Sequence, residues 1–182
     1  KRIKQNDKAI NKKRKGGWPK IGKGHFLAEN ATIIGEVTIG EECSIWFHAV
    51  LRGDVNKSTI GDRTNIQDGV VIHTLYEESV HPPQTHIGSD VPIGHKAIIH
   101  GAVIEDKGLI GMGASILDNA VDGSGCIVAA NALVLSNAKL EPNGVYAGVP
   151  AKRVREVTPE QRKDIIERTA KDYMMYASWY ED

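Results

Sequence analysis

The 182-residue chain is poor in aromatics (5%), has only two cysteines, and carries no net charge, its 23 Lys and Arg being matched by 23 Asp and Glu. Each shortage excludes something. Cys43 and Cys126 cannot make the disulfide framework that staples small secreted folds. No stretch approaches 18 uninterrupted apolar residues, so no membrane span is expected. The first residues lack the apolar run of a secretion signal, and the expected chain is soluble and cytoplasmic. A zero balance excludes a uniformly basic nucleic-acid binder. The charge is nevertheless uneven: residues 1–23 hold ten Lys or Arg against one acid, Asp7. Hydrophobic residues, at 41%, are enough for a core, and the length fits about one domain.

What the sequence has in quantity is glycine, 19 residues, and a repeat. Ile21, Leu27, Ile33, Ile39, Ile45 and Leu51 stand six residues apart. The step resumes at Ile60, Ile66 and Ile72, then at Ile87, Ile93 and Ile99, then at Ile104, Ile110 and Ile116, and finally at Val128, Val134 and Leu140. Glycine or another small or polar residue usually follows. A period of six fits neither a helix nor a flat two-sided strand. It fits a short strand and a turn, with one branched side chain pointing inward per repeat, as in parallel β-helices built of hexapeptides. Three steps per coil make a triangular prism, and since no coil buries its own inward face, stability grows by stacking.

Two breaks interrupt the pattern. Asp122 stands where an aliphatic is due; an inward carboxylate is costly without partners, so the register is expected to shift and let Val121 or Ile127 fill the core. Residues 75–86, from Leu75 through Glu77, Glu78 and His81 to His86, read as a protruding loop. Three regions result: a basic, mobile arm over 1–17, a β-helix over 18–150, and a C-terminal helix over 151–182 packed along the prism. In that helix Thr158 and Gln161 form a capping box with Pro159 in the first turn. Ile165, Ile166, Thr169, Tyr173, Ala177 and Tyr180 recur at helical spacing.

Of seven histidines, three stand inside repeats. His73 follows Ile72 and His100 follows Ile99, so both hold the same place in their hexapeptides, about 4.8 Å apart on stacked coils if the loop is set aside. Two such imidazoles can reach one metal ion. His95 follows Ile93 and Gly94, and the prism puts it near a different corner; a neighbouring subunit could supply it instead. Three neutral imidazoles with one open position make a catalytic zinc arrangement, and the plainer reading is surface imidazoles with hydrogen-bonded neighbours. Nearby lie Arg52, Asp54, Asn65, Gln67 and Asp68. Arg52 with Asp54 or Asp68 can form an ion pair, while Asn65 and Gln67 can orient a metal-bound hydroxide.

Taken together, Arg52-Gly53-Asp54, Asn65-Ile66-Gln67-Asp68-Gly69, His73, Gly94-His95-Lys96, His100-Gly101, Ile110-Gly111-Met112-Gly113 and Ala147-Gly148-Val149-Pro150-Ala151 resemble the gamma-class carbonic anhydrases over residues 18–180. The resemblance implies an all-β fold, a left-handed parallel β-helix with a C-terminal α-helix, assembled as a homotrimer. It implies a metal at each subunit interface, held by His73 and His100 of one chain and His95 of the next, with Gln67 orienting the hydroxide and Asn65 assisting. Arg52, Asp54 and Asp68 would form the interface ion-pair network. The implied reaction is reversible hydration of carbon dioxide to bicarbonate. Zinc is the implied metal, although three imidazoles also suit iron or cobalt. The chain departs from the pattern at Val55, where the resemblance implies a proton-shuttling glutamate, and in its shorter loop, where Glu77, Glu78, His81 or His86 are the available substitutes. Tyr173 and Tyr176 are further candidates to reach the pocket. Two other readings stay open on the same prism. One is an acyltransferase or thioesterase with coenzyme A along Ala147 to Arg153, its phosphates met by Lys152 and Arg153. The other is a non-enzymatic, metal-binding trimeric scaffold.

Overall fold

The computed structural model describes residues 10–13, 17–76 and 84–180. Most of the basic arm, and Glu77, Glu78 and His81 of the loop, lie outside the described residues. Strands mostly of two or three residues, with two longer ones over Thr32–Ile39 and Val50–Ile60, stack in parallel to form a left-handed β-helix of about seven turns. On one face Ile66 is the register partner of Ile45 and Ile93, Ile93 of Ile110, and Ile110 of Val128. On another, Ile99 pairs with Ile72 and Ile116. Three steps of six thus make one coil and return an aliphatic to the same face one rung further on. Of the aliphatics in the six-residue series, all but Ile21 are buried, and Ile21 packs against the core half-buried.

A second inward series accompanies the first. Two residues before a core aliphatic sits a small or compact side chain: Ala31 before Ile33, Ala49 before Leu51, Ala97 before Ile99, Ala114 before Ile116, Ala132 before Val134. Alternation at a spacing of two is the strand period, and the small partner lets the chain turn a corner without crowding the axis. Many corners use residues in the left-handed region, among them Asn119, Asn131, Asn137 and Asn143, where asparagine is tolerated better than most residues.

Asp122 does not shift the register. It is the partner of Ile104 on one side and Leu140 on the other, and it is 1% exposed. Val121 faces outward half-buried, and Ile127 joins a separate cluster with Val145, Val157 and Ile166 beneath the C-terminal helix. The parallel ladder runs through every rung, so a local shift would break backbone hydrogen bonds on both sides of Asp122. Keeping one buried carboxylate is the alternative the fold adopts. Both cysteines are buried too, and burial pushes the Cys43 thiol up to about 11 and that of Cys126 up to about 12.

The ends add strands that the repeat does not announce. Ile10–Lys12 runs parallel to Thr32–Ile34, inside the stretch read as an arm. At the other end the chain does not become helical directly after Pro150: Lys152–Glu156 turns back antiparallel on Gly144–Ala147. The loop closes earlier than expected, since Thr85–Ile87 is a strand on Ser58–Ile60.

The helix then starts at Pro159 under the expected capping box, with Thr158 accepting from the Gln161 backbone and the Gln161 side chain accepting from the Thr158 backbone. Arg162–Glu167 is wound as a π-helix and Arg168–Ser178 continues as an α-helix. Its buried residues are Ile166, Ala170 and Ala177, whereas Ile165 is exposed. The helix lies antiparallel to the growth of the coils. Arg162 bonds Asn143 at 2.7 Å near the last rungs, and Tyr180 meets Phe26 at 5.3 Å near the first. No helix among the described residues is long and apolar enough to cross a membrane.

Candidate metal centre

The candidate residues divide into two groups on one chain. The first gathers around His73 and His100, which are register partners on adjacent rungs with ring centroids 5.4 Å apart. Asp118 lies 2.8 Å from His100 Nδ1, and Asp54 lies 3.2 Å from His73 Nε2. Arg52 donates to Asp54 at 3.0 Å and stands 3.4 Å from His73 Nδ1. Burial and then the Arg52 cation hold His73 below the usual histidine value, against the opposing pull of Asp54, and so favour its neutral ring. Asp118 is missing from the sequence-based candidates. The signal for it was available: it occupies the corner one coil beyond His100, next to Asn119 in the left-handed region.

The second group surrounds His95. Asp68 lies 2.9 Å from His95 Nδ1, and the Tyr173 hydroxyl lies 3.3 Å from Nε2. Burial, then Asp68 and Tyr176, push the Tyr173 hydroxyl up to about 12, so it remains a donor at neutral pH. A carboxylate on Nδ1 and a donor on Nε2 fix one tautomer, with the proton on Nδ1 and the lone pair on Nε2. Gln67 donates to Asn65 Oδ1 at 3.0 Å, and both are buried. Asn65 Nδ2 is also buried and has no hydrogen-bond partner, which is uncommon for an amide at this depth. Gly94 permits the approach of the next coil immediately before His95: a Cβ there would lie 2.7 Å from Met112 N.

Asp68 therefore serves His95 within the chain, while Arg52 and Asp54 serve His73. Among the described residues, no three His, Cys, Asp or Glu side chains converge on one point. The remaining described histidines have other partners: His25 bonds the Gly22 carbonyl, His48 meets Asn30, and His86 meets Thr59. His86 thus sits on a strand and not on a shuttle loop.

No family model matches the chain. Individual relatives do. It is 41% identical over 166 residues to a protein named carbonic anhydrase from Geobacillus kaustophilus, covering 91% of this chain and 88% of that one. The chain belongs to the gamma carbonic anhydrase family. A probable carbonic anhydrase of Methanocaldococcus jannaschii is 47% identical over 147 residues, covering 81% and 89% of the two chains. Gamma carbonic anhydrase 2, mitochondrial, of Arabidopsis thaliana is 42% identical over 162 residues, 87% of this chain and 57% of that one. The chain thus spans little more than half the length of the Arabidopsis proteins it matches. Among solved structures, a Bacillus cereus protein carrying a provisional acetyltransferase name superposes with TM-score 0.89 at 41% identity, covering 96% of this chain and 98% of that one. This gamma carbonic anhydrase family member has His73, His95 and His100 in the two groups described above, and Val55, exposed, directly after Asp54.

Proposed function

We propose that the protein catalyses the reversible hydration of carbon dioxide at a metal held between subunits of a homotrimer, with His73 and His100 from one chain and His95 from the next. The observation that carries this reading is the stacking of His73 on His100 as register partners, with a third histidine set apart at another corner and already fixed in the tautomer that keeps the lone pair on Nε2. The donor set fits a zinc-type ion. Asp118 backs His100 and Asp68 backs His95, each through Nδ1, which orients a ring and raises the basicity of the opposite nitrogen. The metal's contribution, when bound, is to bring the pKa of a water down to about 7.

This chain's own residues do the rest. Gln67 and Asn65, hydrogen-bonded to each other and buried, present a fixed amide array. The unpartnered Nδ2–H of Asn65 is a donor available to an oxygen of bicarbonate or of water. Arg52 and Asp54 lock the first group of ligands in place and face a subunit contact. With Val55 directly after Asp54, the place where the resemblance implies a proton-accepting glutamate is apolar, so proton release is the step that limits turnover. The coenzyme A reading has less support, because acyl transfer makes no demand for three histidines arranged in this way.

The test is stopped-flow hydration of carbon dioxide on protein of measured metal content, beside His73→Ala and His100→Ala. Loss of both metal and activity in each variant supports the reading. Metal-free protein with undiminished hydration would overturn it.

A further inference from the structure

The C-terminal helix does not seal against the prism along its whole length. Between it and one corner of three successive coils lies a cavity of about 410 Å³, within the usual range for small-molecule sites. Its floor is apolar: Ile166 and Ala170 are buried, and Met174 borders the opening half-exposed. Ala170 leaves the room, since a larger residue at that position would fill it. The walls are charged. Arg63 and Lys107 come from the coil corners, Arg162 and Lys171 from the helix, against only two carboxylates, Asp90 and Glu167. Asp90 is already committed, accepting from Arg63 at 2.7 and 3.0 Å. Lys107 and Lys171 stand on opposite walls, and neither has a carboxylate partner among the described residues.

A second observation points to the same place. The π-helical segment Arg162–Glu167 supplies part of the wall. Such segments are rare, forgo good helical hydrogen bonding, and occur frequently at functional sites. Here the widened turn lets Arg162 reach Asn143 while Ile166 stays on the floor.

We propose that this cleft binds a small amphipathic organic anion, its aliphatic body on Ile166, Ala170 and Met174 and its carboxylate or phosphate between Lys107 and Lys171. The excess of cations selects the head group, and the apolar floor selects against inorganic anions. The cleft is separate from the histidines and does not depend on the metal reading.

Titration of the full-length protein with octanoate, octanol and inorganic phosphate, followed by calorimetry and amide chemical shifts, tests this. Octanoate is expected to bind about tenfold more tightly than either control, the worth of one charge-assisted hydrogen bond, with shifts centred on residues 162–174. Octyl phosphate in place of octanoate distinguishes the two head groups, and binding of either one supports the site. The double variant Lys107→Asn, Lys171→Gln should lose that tenfold preference; asparagine suits the left-handed backbone at position 107 (φ +57°). Absence of octanoate and octyl phosphate binding, octanol binding as tightly as octanoate, or a preference that survives in the double variant would each overturn the proposal.

Discussion

The Tyr173 hydroxyl stands 3.3 Å from His95 Nε2, the nitrogen left over once Asp68 has taken Nδ1. A metal shared between subunits needs that same lone pair. In the proposed site helix and metal would therefore compete for one atom, and the competition would be worth about 1 kcal/mol, a typical net hydrogen bond. Tyr173→Phe keeps the ring packed edge-on against Trp46 (5.2 Å) and near Tyr176 (5.4 Å) while removing the competitor. Its metal affinity, measured against a chelator, should rise about fivefold. An unchanged or weaker affinity contradicts the competition.

Asp122 gives the chain a pH-dependent stability with an unusual sign. Burial raises its carboxyl from an ordinary 3.8 to about 7. The adjacent Cys126 thiol offsets part of this by its contact with the carboxyl, but it donates to the Glu141 carbonyl at 3.1 Å and neither Asp122 oxygen has a hydrogen bond of good geometry. Glu105 adds a further raising influence. Between the two values the folded chain holds a proton that the unfolded chain has released. Stability therefore falls as pH rises from about 4 to about 7, by roughly 1.4 kcal/mol per unit at most, and levels off above. Asp122→Val continues the column between Ile104 and Leu140. It should remove this slope and raise the melting temperature at pH 7.5 above that of the parent. Parallel pH profiles for the two proteins would falsify the assignment.

Subunit sharing makes a sharper claim than loss of activity. Chains with His95→Ala keep His73 and His100, and chains with His73→Ala keep His95. Unfolded and refolded together in equal amounts, they form interfaces at random, and in a head-to-tail ring about one interface in four joins two intact halves. Hydration should return to about a quarter of the parent's rate, with metal to match. If all three ligands came from one chain, the mixture would stay as inactive as its parts.

The solenoid was legible because its period is short and its inward residues are chemically uniform. Ile99 or Ile110 could be placed in the core from spacing alone. Asp122 was not, because hydropathy predicts the cheapest local arrangement, while the ladder on either side imposes a register at the expense of a buried carboxylate. His73 and His100 were legible as a pair, since equal places in a hexapeptide become neighbours across a rung. The partners of His95 were less so. Tyr173 reaches it from 78 residues away, along a helix whose rotation depends on packing: the periodicity offered Ile165 and Ile166 alike, and only Ile166 is buried. The strands Ile10–Lys12 and Lys152–Glu156 carry no six-residue signal at all. Each is mostly polar and pairs through its backbone.

Gly94 joins the fold to the metal reading. A Cβ at that position would lie 2.7 Å from Met112 N and 2.8 Å from the Ile110 carbonyl oxygen. Both are backbone atoms in the adjoining coil, where no side chain can swing aside. Gly94→Ala therefore separates two rungs next to His95, at a cost of about 1–3 kcal/mol for overpacking. In a chain of this size that lowers the melting temperature by about 3–10 °C. The same displacement moves His95 relative to the Asp68 and Tyr173 contacts that orient it, so metal bound per chain should fall in step with the melting temperature. A variant that melts with the parent but loses metal would mean that the coils adjust freely and that Gly94 acts only on the histidine. One that melts lower yet holds its metal fully would place the His95 nitrogen outside the site.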